Sequence, residues 1–160
     1  MNSTIRTIQQ NDNLKLATMI REVFIEHDAP QQGTVFSDPT TDDLFELFQE
    51  ENSILWVLEI EGKALGCCGL FPTEGLDEKC VELVKFYISK EARGKGFGLE
   101  LMNKCIESAI QMGYKSIYIE SLPEYAKAVN MYLQTGFKQL NQSLGTSGHT
   151  ACNLWFLKEI

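Results

Sequence analysis

The chain has 160 residues, of which 44% are hydrophobic and 22% charged, and this composition is typical of one globular domain covering residues 1–160. Its formal net charge of −8 argues against nucleic acid as a partner. No apolar run has membrane-spanning length and the first residues lack a signal-peptide pattern, so we expect no membrane association and a cytoplasmic protein.

The first half of the chain predicts a short strand, two helices and a hairpin. The first helix follows a capping residue, Asn11 or Asp12, and a polar stretch with two prolines separates it from the second. Two apolar runs around Glu61-Gly62-Lys63 indicate the hairpin. We place these elements at residues 4–8 (strand), 12–26 and 42–50 (helices), 28–41 (loop), and 54–60 and 64–71 (hairpin). The first helix is expected to bury Leu14, Ala17, Ile20 and Phe24.

The second half predicts strands and helices on either side of a glycine-rich loop. Ser121, followed by Pro123 and Glu124, has the pattern of a helix start, and that helix ends before Gly136. We place strands at residues 80–89, 115–120, 137–140 and 151–158, and helices at 99–112 and from 121 onward. The helix after the loop carries an apolar stripe of Leu101, Met102, Cys105, Ile106, Ala109 and Ile110. The order β-α-α-β-β-β-α-β-α-β-β predicts a mixed α/β fold.

The glycine-rich loop is the most informative stretch of the sequence. It consists of Arg93, Gly94, Lys95, Gly96, Phe97 and Gly98. Glycines let backbone N–H groups converge, and the following helix adds the positive end of its dipole, so we predict a cradle for a phosphate or pyrophosphate. A nucleotide-kinase loop needs Ser or Thr after its lysine, and a dinucleotide fingerprint needs its third glycine one place later, so neither fits. A plain strand-to-helix turn is the alternative, but the cations in and near the loop favour anion binding: Lys85, Lys90, Arg93 and Lys95.

Two motifs resemble those of the GCN5-related N-acetyltransferase (GNAT) superfamily. Its members share Arg/Gln-x-x-Gly-x-Gly/Ala, which Arg93, Gly96 and Gly98 match, and a later Tyr-x-x-x-Gly-Phe, which begins here at Tyr132. Both motifs occur in the family's order, and the flanking elements fit over nearly the whole chain. The resemblance implies an α/β (α+β) fold with a mixed, mostly antiparallel twisted sheet, flanked by helices, whose central strands are splayed.

The resemblance also implies acetyl-CoA as co-substrate. No metal is expected, because the two histidines, His27 and His149, lie far apart in the sequence. Residues 93–98 would bind the pyrophosphate, while backbone groups of Phe86, Tyr87 and Ile88 on the central strand would pair with the pantetheine arm. Many members carry asparagine seven residues before the motif tyrosine, where this chain has Tyr125. That difference affects the expected contact with the pantetheine arm.

The implied reaction assigns roles to a phenol and a carboxylate. Tyr132 would reprotonate the leaving thiolate, because an ordinary phenol pKa of about 10 lies close to that of a thiol; a core aromatic residue is the alternative. An amine must lose a proton before it attacks, and Glu82 or Glu120 could accept it. His149 is expected to be a solvated loop residue. Because no base adjoins the cysteines, an acyl-cysteine route through Cys152 or Cys80 is disfavoured.

These observations favour an acetyl-CoA-dependent N-acetyltransferase that acts by direct attack in a ternary complex. A non-catalytic acyl-CoA-binding module of the same fold is the first alternative, and a nucleotide-binding protein that shares only the loop is the second. The partner is expected to be a small-molecule amine or a peptide N-terminus, and the resemblance is compatible with a homodimer. Residues 26–43 and 143–151 are expected to determine the acceptor.

Overall fold

The computed structural model describes residues 2–160, which form one seven-stranded sheet with helices on both faces. The strands are β1 (Ser3–Thr7), β2 (Ile54–Ile60), β3 (Lys63–Phe71), β4 (Cys80–Ile88), β5 (Ser116–Ser121), β6 (Lys138–Leu140) and β7 (Leu154–Glu159). The helices are α1 (Asn13–Glu26), α2 (Leu44–Leu47), α3 (Phe97–Gln111) and α4 (Ala126–Gln134), with 3₁₀ turns at Gln10–Asp12, Pro39–Asp42 and Lys90–Ala92. The predicted order of elements is confirmed.

The centre of the sheet is its most informative region. The strand order is β1-β2-β3-β4-β5-β7-β6, and β4 and β5 form its one parallel pair in the described chain. Their pairing runs only from Cys80 opposite Ser116 to Glu82 opposite Tyr118, although both strands continue. Beyond Glu82 the two strands separate, which confirms the predicted mostly antiparallel sheet with splayed central strands. Residues 83–88 therefore have no described strand partner on the β5 side.

The core lies on both faces of the sheet. On one face, α3 packs Leu101, Met102 and Cys105 against the sheet, and all three are fully buried. On the other face, α1 does the same with Leu16 and Ile20. Burial of a side chain of this size stabilises the fold by about 1.5–3 kcal/mol relative to exposure. The two helices thus fix the flanks of β4, where the candidate site lies.

Two predicted buried positions are wrong. Leu14 is 79% exposed and Ile110 is 56% exposed. The buried stripe of α1 is centred on Leu16, Ile20 and Val23, and Leu14 lies roughly 180–240° around the helix from these residues. The predicted helical period of α1 is therefore correct, but Leu14 was assigned to the wrong face of the helix.

The helix start predicted at Ser121 is also wrong. Ser121 is the last residue of β5 and pairs with Leu154 of β7, and α4 begins only at Ala126. The backbone carbonyl of Ser121 accepts a hydrogen bond from Asn153 N–H at 3.2 Å, so pairing with the strand takes precedence over the capping pattern. The helix predicted at residues 42–50 is likewise reduced to the single turn Leu44–Leu47.

Candidate active site

A cavity of about 570 Å³ opens where β4 and β5 separate. Its walls come from the second half of β4, the glycine-rich loop, the first turns of α3 and α4, and the end of α1. Every residue predicted for the site lines this cavity except Lys95, whose ammonium group donates to the Glu91 carbonyl at 3.0 Å. The topology therefore brings together residues that are up to 50 positions apart in the sequence, from Glu82 to Tyr132.

The glycine-rich loop has the conformation that an anion cradle requires. Gly94 and Gly96 have φ angles of +73° and +87°, in the left-handed region that glycine adopts readily. A Cβ atom at either position would meet no atom within 4 Å, so their outer side is open. Gly96 is the N-cap of α3, and the first residues of that helix, Phe97 to Leu99, line the cavity. The first N–H groups of a helix have no partner within it, so they suit an anion.

Gly98 serves close packing rather than loop geometry. A Cβ atom there would lie 3.2 Å from Met131 Cε and 3.3 Å from Ile88 Cδ1. Because both distances are tighter than ordinary contacts, glycine allows the first turn of α3 to approach β4 and α4. This approach holds the loop against the strand whose backbone edge is free.

Two of the cations predicted beside the loop differ from that prediction: one is already paired with a carboxylate, and the other lies outside the loop. The Arg93 guanidinium donates to the Ile88 carbonyl at 3.0 Å and forms a salt bridge with Glu26 at the end of α1. Its side chain therefore ties the loop to β4 and α1, and its charge is already paired. Lys85 does not belong to the loop at all, because it is buried within β4 and only 6% exposed.

Tyr132 lies on α4 and is only 4% exposed. Its ring packs against Phe86, Phe137 and Phe156, with ring centroids 5.5–6.3 Å apart. Burial raises the pKa of the phenol, and the hydroxyl of Ser121 only partly offsets this effect. The phenol is therefore protonated at neutral pH and available as a donor to the cavity.

Glu82 is the most unusual carboxyl group of the site. It is 3% exposed and accepts a hydrogen bond of 2.6 Å from the Thr73 hydroxyl. Burial raises the pKa of Glu82 to about 7, with the negative charge of Glu120 acting in the same direction and the Thr73 hydrogen bond against it. At neutral pH this group can both release and accept a proton, which suits a general base.

Glu120 lines the same cavity, but both of its oxygens are engaged. One accepts a hydrogen bond of 2.7 Å from the Tyr118 hydroxyl, and the other accepts one from the Ser147 hydroxyl. Tyr118 in turn accepts a hydrogen bond from the backbone N–H of Leu144. These contacts anchor the 143–151 loop to β5. Glu120 thus accepts two side-chain hydrogen bonds, whereas Glu82 accepts one.

Tyr125 has a hydroxyl group that the sequence did not mark as functional. The oxygen is buried and finds no hydrogen-bond partner among the described residues, while its ring packs against Phe24 and Tyr87. Buried hydroxyls are nearly always hydrogen-bonded, so an orphan that lines the cavity is suited to a bound ligand. This residue stands at the position where many family members carry asparagine.

His149 is not the solvated loop residue that was predicted. Its side chain is 13% exposed, and Nε2 lies 3.0 Å from Asp38 Oδ2. Burial acts to raise the pKa of Asp38, but the hydrogen bonds from His149 and Thr40 outweigh it and bring the pKa to about 2. The contact joins the two segments expected to determine the acceptor, and a pairing over 111 positions leaves no local signal in the sequence.

Comparison with known proteins identifies the class to which this fold and site belong. The acetyltransferase (GNAT) family description matches residues 21–137. The chain is 31% identical over 157 residues to the uncharacterised N-acetyltransferase YjgM of Escherichia coli, a match covering 98% of this chain and 94% of that protein. A GNAT-family acetyltransferase of Staphylococcus aureus has the same fold, with a TM-score of 0.86, 17% identity and 99% coverage of both chains. The structure of yncA from Salmonella typhimurium with its cofactor acetyl-CoA has a TM-score of 0.76 at 18% identity, covering 100% of this chain and 94% of that one.

The chain therefore belongs to the GNAT acetyltransferase family. It is an N-acetyltransferase by class, which confirms the resemblance seen in the two motifs and removes the alternative of a nucleotide-binding protein that shares only the loop. Within residues 2–160, no helix is both long and apolar enough to cross a membrane. The same residues contain no cluster of three or more His, Cys, Asp or Glu side chains suited to a metal ion.

Proposed function

We propose that this protein transfers the acetyl group of acetyl-CoA to a primary amine by direct attack in a ternary complex. One observation carries the proposal: the cavity between β4 and β5 joins the glycine cradle to a buried carboxyl group with a pKa of about 7, Glu82, and to the protonated phenol of Tyr132. Holding donor and acceptor in one cavity converts a bimolecular encounter into an oriented one.

The residues present fit acetyl-CoA as the donor. The cradle of Gly94 and Gly96 would hold the pyrophosphate with backbone N–H groups, and the free edge of residues 86–88 would pair with the amide groups of the pantetheine arm. The orphan hydroxyl of Tyr125 offers a further hydrogen bond along this path. When bound, acetyl-CoA supplies an acetyl group activated as a thioester. The yncA structure, which has the same fold, contains this molecule.

Glu82 is proposed as the general base. An amine acceptor reaches the site mostly protonated at neutral pH, and attack requires its lone pair. A carboxyl group with a pKa of about 7 is half ionised at that pH and accepts the proton directly or through one water. Glu120 is the second candidate, but its oxygens already accept hydrogen bonds from Tyr118 and Ser147.

Tyr132 is proposed as the general acid. As the C–N bond forms and the C–S bond breaks, the phenol donates its proton to the departing sulfur. Burial raises the pKa of Tyr132, and the same water-poor surroundings raise the pKa of a thiol, so both pKa values shift in the same direction. After the attack, the positively charged nitrogen loses its second proton to solvent, Glu82 releases the proton that it took, and Tyr132 regains one. The net result is one proton released for each protonated amine acetylated.

The raised pKa of the Cys152 thiol, which lies in the cavity, favours direct attack over an acyl-cysteine route. Burial raises the pKa of Cys152 to about 12, with Glu120 and Glu82 acting in the same direction. A thiol in this state is almost entirely protonated at neutral pH and is a poor nucleophile. Cys152 is therefore a weaker nucleophile than the acceptor amine and does not compete with it for the acetyl group.

The experiment that tests the proposal is thiol release from acetyl-CoA in the presence of a panel of amines, with acetyl-CoA binding measured by calorimetry in the same preparation. Binding together with amine-dependent thiol release is the expected result. Binding without release for any amine would favour the non-catalytic acyl-CoA-binding module instead. A cytoplasmic site of action and a homodimer remain predictions from the sequence, testable by fractionation and by sedimentation.

A further inference from the structure

Lys85 occupies a β-bulge in the central strand. Cys67 of β3 stands opposite Tyr87, whereas Gly69 stands opposite Val84, so β4 carries one extra residue between these pairs. The φ angle of Lys85 is +56°, a left-handed conformation that is disfavoured for a residue with a side chain. Bulges of this kind re-aim side chains beside active sites, and local strain concentrates at functional positions.

The ammonium group of Lys85 is buried without an ion-pair partner. The residue is 6% exposed and takes part in none of the salt bridges formed among residues 2–160. Burial lowers the pKa of Lys85, and the negative charges of Asp38 and Glu82 act against this effect from a longer distance. Both carboxyl groups are already hydrogen-bonded, Asp38 to His149 and Thr40 and Glu82 to Thr73.

We propose that Lys85 binds a carboxylate of the acetyl acceptor, an inference that rests on the proposed function. The acceptor is then a small amino acid. Lys85 and Glu82 line one cavity and offer a cation for the carboxylate and a base for the amine. A protein of net charge −8 needs a local cation to hold an anionic substrate group. Arg93 and Lys127 line the same cavity, but the charge of Arg93 is paired with Glu26 and Lys127 is exposed to solvent at the start of α4. Lys85 is therefore the buried cation of the cavity, on the same strand as Glu82.

The walls of the cavity favour a free amino acid over the end of a protein chain. The Asp38–His149 contact joins the two acceptor segments, and Ala151 N–H, which donates to the Gly33 carbonyl at 3.1 Å, joins them a second time. A free amino acid carries an amine and a carboxylate, and the first residue of a peptide that begins with Asp or Glu carries the same two groups. The test therefore compares an amino acid, its primary amide and the dipeptide that begins with it.

The experiment measures kcat/KM for each of these three acceptors over a panel of amino acids, divided by the fraction of unprotonated amine. A charge-assisted contact is expected to favour the free acid over its amide by about 10- to 100-fold in the wild type. Lys85→Met is expected to remove most of that ratio, and Lys85→Arg to keep part of it. Lys79→Gln, at an exposed lysine just before β4, is the matched control and should leave the ratio as it is. Acetyl-CoA binding by calorimetry shows whether each variant is folded.

Two results would overturn the role of Lys85 in binding a carboxylate and leave the proposed acetyl transfer intact. One is a wild type that acetylates amines with equal or better efficiency when the carboxylate is replaced by an amide. The other is a folded Lys85→Met variant that keeps the wild-type ratio. A preference for the dipeptide over the free amino acid would contradict the small acceptor. Absence of thiol release with every amine would instead overturn the proposed function itself.

Discussion

Gly96 and Gly113 stand at opposite ends of α3 with the same φ angle of +87°. A Cβ atom at either position would meet no atom within 4 Å. The two positions therefore impose equal backbone strain on an alanine, while only Gly96 belongs to the glycine-rich loop at the cavity. They form a natural pair for separating folding from ligand binding.

Alanine at each of these glycines should cost similar stability but affect binding differently. We expect Gly96→Ala and Gly113→Ala each to lower the free energy of unfolding by roughly 1–2 kcal/mol. Only Gly96→Ala should weaken acetyl-CoA binding, on the order of 10-fold or more, because its methyl group enters the cradle. Urea unfolding and calorimetry measure the two effects. Equal acetyl-CoA affinities in the two variants would mean that the pyrophosphate binds elsewhere.

Removal of one oxygen from Tyr132 should separate chemistry from donor binding. We expect Tyr132→Phe to lower kcat by about 10²- to 10⁴-fold while acetyl-CoA affinity stays within a few-fold, because the ring still fills its place against Phe156. Tyr114→Phe is the matched control, since Tyr114 is also buried but donates to the Asn52 carbonyl outside the cavity. Turnover that is unaffected in Tyr132→Phe would leave this tyrosine as a core residue only.

The pKa of Glu82 predicts the pH dependence of turnover. If Glu82 is the base, kcat/KM should rise with pH through an apparent pKa of about 7, in addition to the rise caused by the amine itself at higher pH. Glu82→Gln should abolish the lower of these two steps and reduce kcat/KM at pH 8 by about 10²-fold or more. Should Glu120→Gln rather than Glu82→Gln remove the step near pH 7, the roles of the two carboxyl groups would be exchanged.

The same substitution should stabilise the protein at alkaline pH. The folded-state pKa of Glu82, about 7, lies above the ordinary glutamate value of 4.5, so the folded state binds the proton more tightly than the unfolded state. The charged form of Glu82 therefore costs stability as the pH rises from 4.5 to 7, and the full cost is present above 7. We expect Glu82→Gln to raise the free energy of unfolding at pH 8 by roughly 1–3 kcal/mol, with little change at pH 4.5. Urea unfolding at both pH values measures this, and an equal effect at the two would show that Glu82 is not protonated in the folded protein near neutral pH.

Much of the fold and the donor side of the site could be predicted from local sequence. The positive φ angles of Gly94 and Gly96 follow from residue type, because few other residues adopt them. Period-2 and period-3.6 apolar patterns located the strands and the long helices to within a few residues. The separation of β4 from β5 was implied by the family resemblance and not by any property of the residues around Glu82.

What the sequence missed depends on contacts between distant segments. The bulge at Lys85 arises from the register of β4 against β3, and the Asp38–His149 pair spans 111 positions. Arg93 looked like a phosphate ligand because its partner Glu26 is 67 positions away. A cation in a sequence motif carries no information about whether its charge is already paired in the fold.

Acetyl transfer from acetyl-CoA to an amine can be measured by counting both products of one reaction. Wild-type protein is incubated with acetyl-CoA and a mixture of amino acids, and free thiol and acetylated amine are quantified together by colorimetry and mass spectrometry. We predict catalytic turnover with one acetylated amine for each thiol released, and loss of both products in Tyr132→Phe. Tight acetyl-CoA binding with no acetylated amine, from that mixture or from any other primary amine, would contradict it.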